Sequence, residues 1–115
     1  MKFLITLFII SMAITMNAQQ SISGTWNTGQ DNTKIEITES NGVYSGKVIS
    51  SDNAKVKIGK QFVKDVKSTG SKWKGKIYSP KKDNWYNATI EAKGEQLLVT
   101  VKSGMMSKTI AWQKA

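Results

Sequence analysis

Asp31, Asp52, Asp65, Asp83, Glu36, Glu39, Glu91 and Glu95 are the only carboxylates of this 115-residue sequence, which contains no histidine and no cysteine. The common general base near neutral pH, the thiolate nucleophile and the usual transition-metal ligands are therefore missing. Most of the eight acids fall in turn signals or among lysines, where solvation and ion pairing account for them. No pair has a spacing from which a two-carboxylate hydrolysis could be argued. Asp31-Asn32 and Asp52-Asn53 lack the spaced oxygens and the distal glutamate of a calcium loop. The expectation is a protein that is not an enzyme and uses no cofactor or metal.

Binding is better supplied. Trp26, Trp73, Trp85, Trp112, Tyr44, Tyr78 and Tyr86 are seven large aromatics in a short chain, and concave sites are walled by such rings with a few polar groups among them. The same rings also fill cores by burying large areas, which is the plainer reading of Trp26, Trp73 and Trp112. Trp85 differs, because it falls on the face opposite Tyr86, Ala88 and Ile90, just after a polar turn, and so is exposed or at a rim. Tyr44, Trp73, Trp85 and Tyr86 are the candidate residues around a small pocket or open end, with a small apolar or amphipathic molecule as the ligand. Met105 and Met106 stand where a turn is normally polar; the pair could dip into a membrane surface, cover a cavity mouth or fold back on the core. Asn87-Ala88-Thr89 matches a glycosylation acceptor, a tripeptide common by chance.

All 17 basic residues are lysines, against 8 acids, for a formal charge of +9. Base readout and bidentate phosphate clamps lean on arginine, so nucleic acid is not an expected partner. A lysine surface can hold anionic glycans or lipid headgroups loosely and with salt sensitivity. This supports a second reading, an interaction or structural module attached to anionic envelope polymers. The simpler account is that lysines keep strands soluble and block edge-to-edge pairing.

The compartment follows from the first residues. Met1-Lys2 gives a positive start, Phe3 to Met16 is nearly all apolar, and Met16-Asn17-Ala18 ends in the small residue that a signal peptidase requires. Residues 1–18 are read as a signal peptide helix removed near Ala18, which predicts a periplasmic or secreted protein. The run is too short and too often interrupted, at Thr6, Ser11 and Thr15, for a transmembrane anchor, and without cysteine there is no thiol to take a lipid. Residues 19–115 suffice for a single domain. Their oligomeric state is not legible.

Turn signals recur through residues 19–115 at the spacing of a β-meander: Gly29-Gln30-Asp31-Asn32, Asn41-Gly42, Ser51-Asp52-Asn53, Ser68-Thr69-Gly70, Ser79 to Asn84, Lys93-Gly94 and Ser103-Gly104. Between them, residues alternate with the period of a strand that has one dry face. Ile35 and Ile37 point together, as do Ala54, Val56 and Ile58; Trp73 and Ile77; Tyr86, Ala88 and Ile90; Leu97, Val99 and Val101; and Ile110 and Trp112. In the stretch Gly59 to Lys67, Phe62, Val63 and Val66 fit a helical turn as well as a strand, and strand is taken. Tyr44-Ser45-Gly46-Lys47-Val48 and Trp73-Lys74-Gly75-Lys76-Ile77 each set an aromatic two residues before a glycine, as bend points of a curling sheet do. The fold class is all-β, an antiparallel meander of about eight short strands. Those bends favour closure into a barrel, whose interior at that size is filled or holds one small ligand.

Gly24-Thr25-Trp26 at the start and Trp112-Gln113-Lys114 at the end resemble a lipocalin-like arrangement. In it a Gly-x-Trp on the first strand and a basic side chain from the last close the barrel floor. Gly24, Trp26, Trp112 and Lys114 would be the closing residues, with Lys114 standing where arginine is usual and stacking less well for want of a planar guanidinium. A closer resemblance, over nearly all of residues 19–115, is to the exported bacterial family catalogued as domain of unknown function 2147. It rests on Gly24-x-Trp26, Tyr44-x-Gly46-Lys47-Val48, Ile58-Gly59-Lys60, Trp73-Lys74-Gly75-Lys76-Ile77-Tyr78-Ser79-Pro80, Tyr86, Leu97-x-Val99 and Trp112. Ser79 replaces a usual aspartate before the proline, and Asn84-Trp85 replaces a common Gly-Lys before Tyr86. The resemblance implies a small β-barrel-like domain in the envelope and brings no activity with it.

Overall fold

The computed structural model describes residues 21–115, which form eight antiparallel strands in meander order: β1 (Gly24–Asn27), β2 (Lys34–Ser40), β3 (Val43–Ser50), β4 (Gln61–Ser68), β5 (Trp73–Ser79), β6 (Asn84–Lys93), β7 (Gln96–Ser103) and β8 (Met106–Lys114). Each strand pairs with its sequence neighbours and β8 returns to β1, so the sheet is a closed barrel. Residues 1–18, read as a signal peptide with a cleavage point after Ala18, lie outside the described residues. No helix among the described residues is long and apolar enough to cross a membrane.

Alternation sets what lies inside. Ile35, Ile37, Val48, Val63, Val66, Trp73, Ile77, Ala88, Ile90, Leu97, Val99 and Trp112 are buried, while Lys47, Lys67, Lys74, Lys102 and Lys108 on the same strands are exposed. Burial of each large apolar side chain contributes roughly 1.5–3 kcal/mol, a necessary source of stability in a small chain without disulfides. Asn41 and Gly42, at φ 52° and 82°, form the two-residue loop of the β2–β3 hairpin, whose strands pair from Ser40 opposite Val43 onward.

The end at which the chain enters is plugged. Gly24, at φ 131°, lets the segment before β1 turn beneath the barrel. Ile22 is fully buried there and its carbonyl accepts a hydrogen bond from Trp26 Nε1 at 3.0 Å. Across the closing seam Trp26 stands opposite Lys114, whose Nζ is 5.7 Å from the centroid of the indole ring. Trp112 is buried beside its register partner Leu97. Of the four expected closing residues, Trp26 and Lys114 meet across the seam, Gly24 begins β1 opposite Ile37 of β2, and Trp112 lies on the seam strand β8 and faces Leu97 of β7.

Gly46 and Gly75 mark where the wall bends. On β4 the register slips between Lys64 and Lys67, and Asp65 takes a positive φ of 54°. This β-bulge brings both Val63 and Val66 inward. The bulged backbone presses on β5, where a Cβ added at Gly75 would lie 2.3 Å from Val66 Cγ2 and 2.7 Å from its Cα. Gly46 lies between two register slips on β3, and a Cβ there would come within 2.9 Å of Ile35 Cγ2.

One expected strand is absent. Ala54 to Ile58 alternates like a strand, yet it belongs to the link between β3 and β4, where Ala54 and Ile58 are exposed and Val56 alone packs on the core. Side-chain oxygens divert the backbone: Ser51 Oγ accepts from the Asn53 N–H at 3.1 Å and Asn53 Oδ1 from the Lys55 N–H at 2.9 Å, while the Val56 N–H bonds the Asn53 carbonyl. Met105 and Met106 do not fold back on the core. Ser103 pairs with Met106, so Met105 sits in a two-residue loop with no slack to return, and both side chains are exposed.

Candidate binding site

In a meander the connections alternate between the two ends. The β1–β2, β3–β4, β5–β6 and β7–β8 connections therefore share the end opposite the Ile22 plug, and there the barrel opens into a cavity of about 1060 Å³. Its apolar lining comprises Ile77, Tyr86, Val101, Ile110 and Trp112 on the inner face, with Phe62, whose ring packs against the outward Tyr78. The core alternation places these residues: Ile77 faces Tyr86, Val99 faces Ile110 and Leu97 faces Trp112, so the apolar faces of β5 to β8 run from the packed core into the cavity lining.

The rim has a different chemistry. Lys55, Lys57 and Lys60 from the β3–β4 link, Lys81 and Lys82 from the β5–β6 turn and Lys108 from β8 border the cavity, with Asp31 as the one carboxylate in its lining. The link is fastened over the β1–β2 turn. Thr33, buried, shares a hydrogen bond with Ser51 at 2.7 Å, the Asp52 N–H bonds the Asp31 carbonyl at 2.8 Å, and Asn53 Nδ2 donates to the Asp31 carboxylate at 3.2 Å.

Of the four sequence-derived candidates, Tyr86 lines the cavity. Tyr44 and Trp73 meet edge to face, their ring centroids 6.5 Å apart, away from the cavity lining. Trp73 is buried, and its Nε1 is the buried side-chain polar atom without a hydrogen-bond partner among the described residues, a condition that costs roughly 1–3 kcal/mol. Trp85 is half-buried on the outer face, where it continues a row of rings: Phe62 to Tyr78 is 5.5 Å and Tyr78 to Trp85 is 5.4 Å. Lys60 Nζ lies 4.2 Å over the Tyr78 ring and Lys64 Nζ 4.3 Å over the Trp85 ring. The four candidates thus occupy three places and form no single site. Reading the strand faces alone missed Phe62, Ile110 and the lysine rim. The signal for the rim lay in the lysines of alternate turns, which a meander gathers at one end.

Beside the mouth, the Tyr78 hydroxyl donates to the Asp83 carboxylate within the β5–β6 turn. That hydrogen bond, helped by desolvation and by the carboxylate's charge, raises the phenol above its ordinary 10.0. The folded state therefore holds this proton more tightly than the unfolded chain. The stabilisation is complete below pH 10.0 and is lost as pH rises through the higher folded value. Asp83→Asn is expected to return the Tyr78 titration towards its ordinary range. Tyrosinate absorbance against pH reads this directly, and an unchanged curve would remove Asp83 as the cause.

Among the described residues no group of three His, Cys, Asp or Glu side chains is placed to hold a metal ion. What the arrangement offers is a cavity with apolar side chains inside and lysines around its rim. No curated protein matches the chain. Residues 24–114, which span the barrel from the first strand through the last, match the family model described as "Uncharacterized protein conserved in bacteria (DUF2147)", and the chain belongs to that family.

Proposed function

We propose that this domain is a non-enzymatic protein of the bacterial envelope that holds a small apolar or amphipathic molecule in the open end of its barrel. The observation behind this reading is the cavity of about 1060 Å³ whose inward apolar lining is Ile77, Tyr86, Val101, Ile110 and Trp112. It is slightly above the roughly 300–1,000 Å³ that small-molecule sites occupy, and it combines apolar side chains inside with a polar, lysine-rich rim. The plug of Ile22 and Trp26 at the other end makes the barrel a cup rather than a tube. Export is supported by Lys2 followed by the apolar run from Phe3 to Met16.

The test is thermal melting and tryptophan emission of the purified domain with single-chain amphiphiles. Trp112 lines the cavity, so occupancy should shift its emission. A ligand at about a hundredfold over its dissociation constant should add roughly 2.7 kcal/mol. For a domain of this size that is a rise in Tm of about 10–20 °C. No change in either signal across such a panel would sink the proposal.

A second reading, attachment to anionic envelope polymers or lipid headgroups, is favoured by one observation. Exposed Met105 and Met106 extend from the end that also presents the lysine rim. It requires retention on anionic vesicles or glycans that weakens as salt is raised.

A further inference from the structure

We infer that the molecule held in the mouth is a single-chain amphiphile with an anionic head, a carboxylate or a phosphate, lodged among Lys55, Lys57, Lys60, Lys81, Lys82 and Lys108. This rests on the pocket reading above and adds the charge of the occupant. Six ammonium groups border the cavity against one carboxylate, and all six lysines are exposed. Among the described residues none of them is ion-paired. Of the three acids in the connections at this end, Asp31 accepts from Asn53, Asp83 accepts from Tyr78, and Asp52 in the β3–β4 link is not part of the cavity lining, so the six lysines outnumber them two to one. Lysine repulsion at the rim is thus left for a bound anion to relieve. Lys60 is also held in place, with its Nζ 4.2 Å over the Tyr78 ring.

The geometry separates the two ends of such a ligand. Its chain meets Ile77, Val101, Ile110 and Trp112 inside, and its head meets cations whose long methylene stems can lie along the emerging chain. A neutral head would occupy the same chamber and leave the rim charges uncompensated. Ion pairs at an exposed rim are individually weak, so two or three of them together give a preference of about tenfold for an anionic over a neutral head. That preference is electrostatic and must fade towards molar salt, where charges are screened beyond about 3 Å.

The experiment displaces a fluorescent fatty-acid reporter from the purified protein with dodecanoate, dodecyl phosphate or dodecanol, each below its micelle threshold, at low and at molar salt. A parallel arm measures sedimentation with vesicles of phosphatidylglycerol. The expected result is displacement by the two anions at about tenfold lower concentration than by dodecanol, with the gap closing in high salt. The combined variant Lys55→Gln, Lys57→Gln, Lys81→Gln and Lys82→Gln should lose the anion preference and keep its response to dodecanol, which also shows that it is folded. The ratio of dodecanoate to dodecyl phosphate distinguishes a carboxylate head from a phosphate head. Equal displacement by dodecanol and the anions would overturn the inference and leave the pocket standing. Displacement by none of them overturns the pocket reading itself, and vesicle binding in that case would reassign the lysines to a membrane surface.

Discussion

Gly75→Ala is expected to cost the barrel about 3 kcal/mol, the upper part of the range for overpacking a filled core. For a domain of this size such a loss lowers the melting temperature by roughly 12–24 °C. The cost arises because the added methyl would meet backbone: it would stand 2.7 Å from Val66 Cα and 2.9 Å from the Lys64 carbonyl oxygen. Relief would require the β4 bulge to move, and the bulge is what turns both Val63 and Val66 inward. Gly46→Ala provides the internal comparison. Its nearest neighbours are side-chain atoms of Ile35, Ile37 and Val63 at 2.9–3.2 Å, which can shift by a few tenths of an ångström, so about 1–2 kcal/mol is expected. Melting curves of the two variants check the order. A Gly75→Ala protein as stable as the parent would show that the close approach of β4 to β5 is wrong.

The second large effect concerns the mouth. Val101→Trp places an indole in the cavity from a half-buried position on β7 that lines it. Because the added bulk enters open space rather than packed core, stability should change by less than about 1 kcal/mol. Uptake of any amphiphile should nevertheless fall by at least about tenfold, since the chain would lose the wall of Val101 and its neighbours. Displacement titration and a melting curve on the same sample separate the outcomes. A folded Val101→Trp protein that binds as well as the parent would place the ligand elsewhere. The outer row of Phe62, Tyr78 and Trp85 would be the next surface to test.

Much of the architecture was legible because a half-buried strand writes its dry face at every second residue. Ile35 and Ile37, Trp73 and Ile77, and Leu97 and Val99 are buried as their spacing requires. The ambiguity at Phe62, Val63 and Val66 has a physical source, for the bulge at Asp65 adds one residue and turns a period of two into an interval of three. Such an interval reads equally well as a helical turn. Ala54 to Ile58 misled for the opposite reason: its alternation is real, but local bonds from Ser51 and Asn53 claim the backbone before a neighbouring strand can.

The candidate site was less legible because it depends on which chain segments meet. Tyr44 and Trp73 share a face with the cavity residues but lie towards the other end of the barrel, and strand periodicity distinguishes faces without distinguishing depth. Trp85 was correctly separated from the face of Tyr86, Ala88 and Ile90. Its neighbours Tyr78 and Lys64 come from other strands and needed the register to be found. The lysines of the rim looked like solubilising charge because they are spread from Lys55 to Lys108 in the sequence.

The short first strand also fixes where the cylinder is thinnest. β1 meets β8 only at Trp26 opposite Lys114 and Asn27 opposite Gln113, with a further bond from the Ala115 N–H to the Thr25 carbonyl, whereas β7 and β8 are laced along their whole length. Transient opening favours the join with the fewest bonds to break, so this wall parts first along one vertical line while the remaining staves stay together. A strand released there bares an edge on β8 that a first strand from another copy would fit, giving the molecule a ready route to exchange arms with its twin.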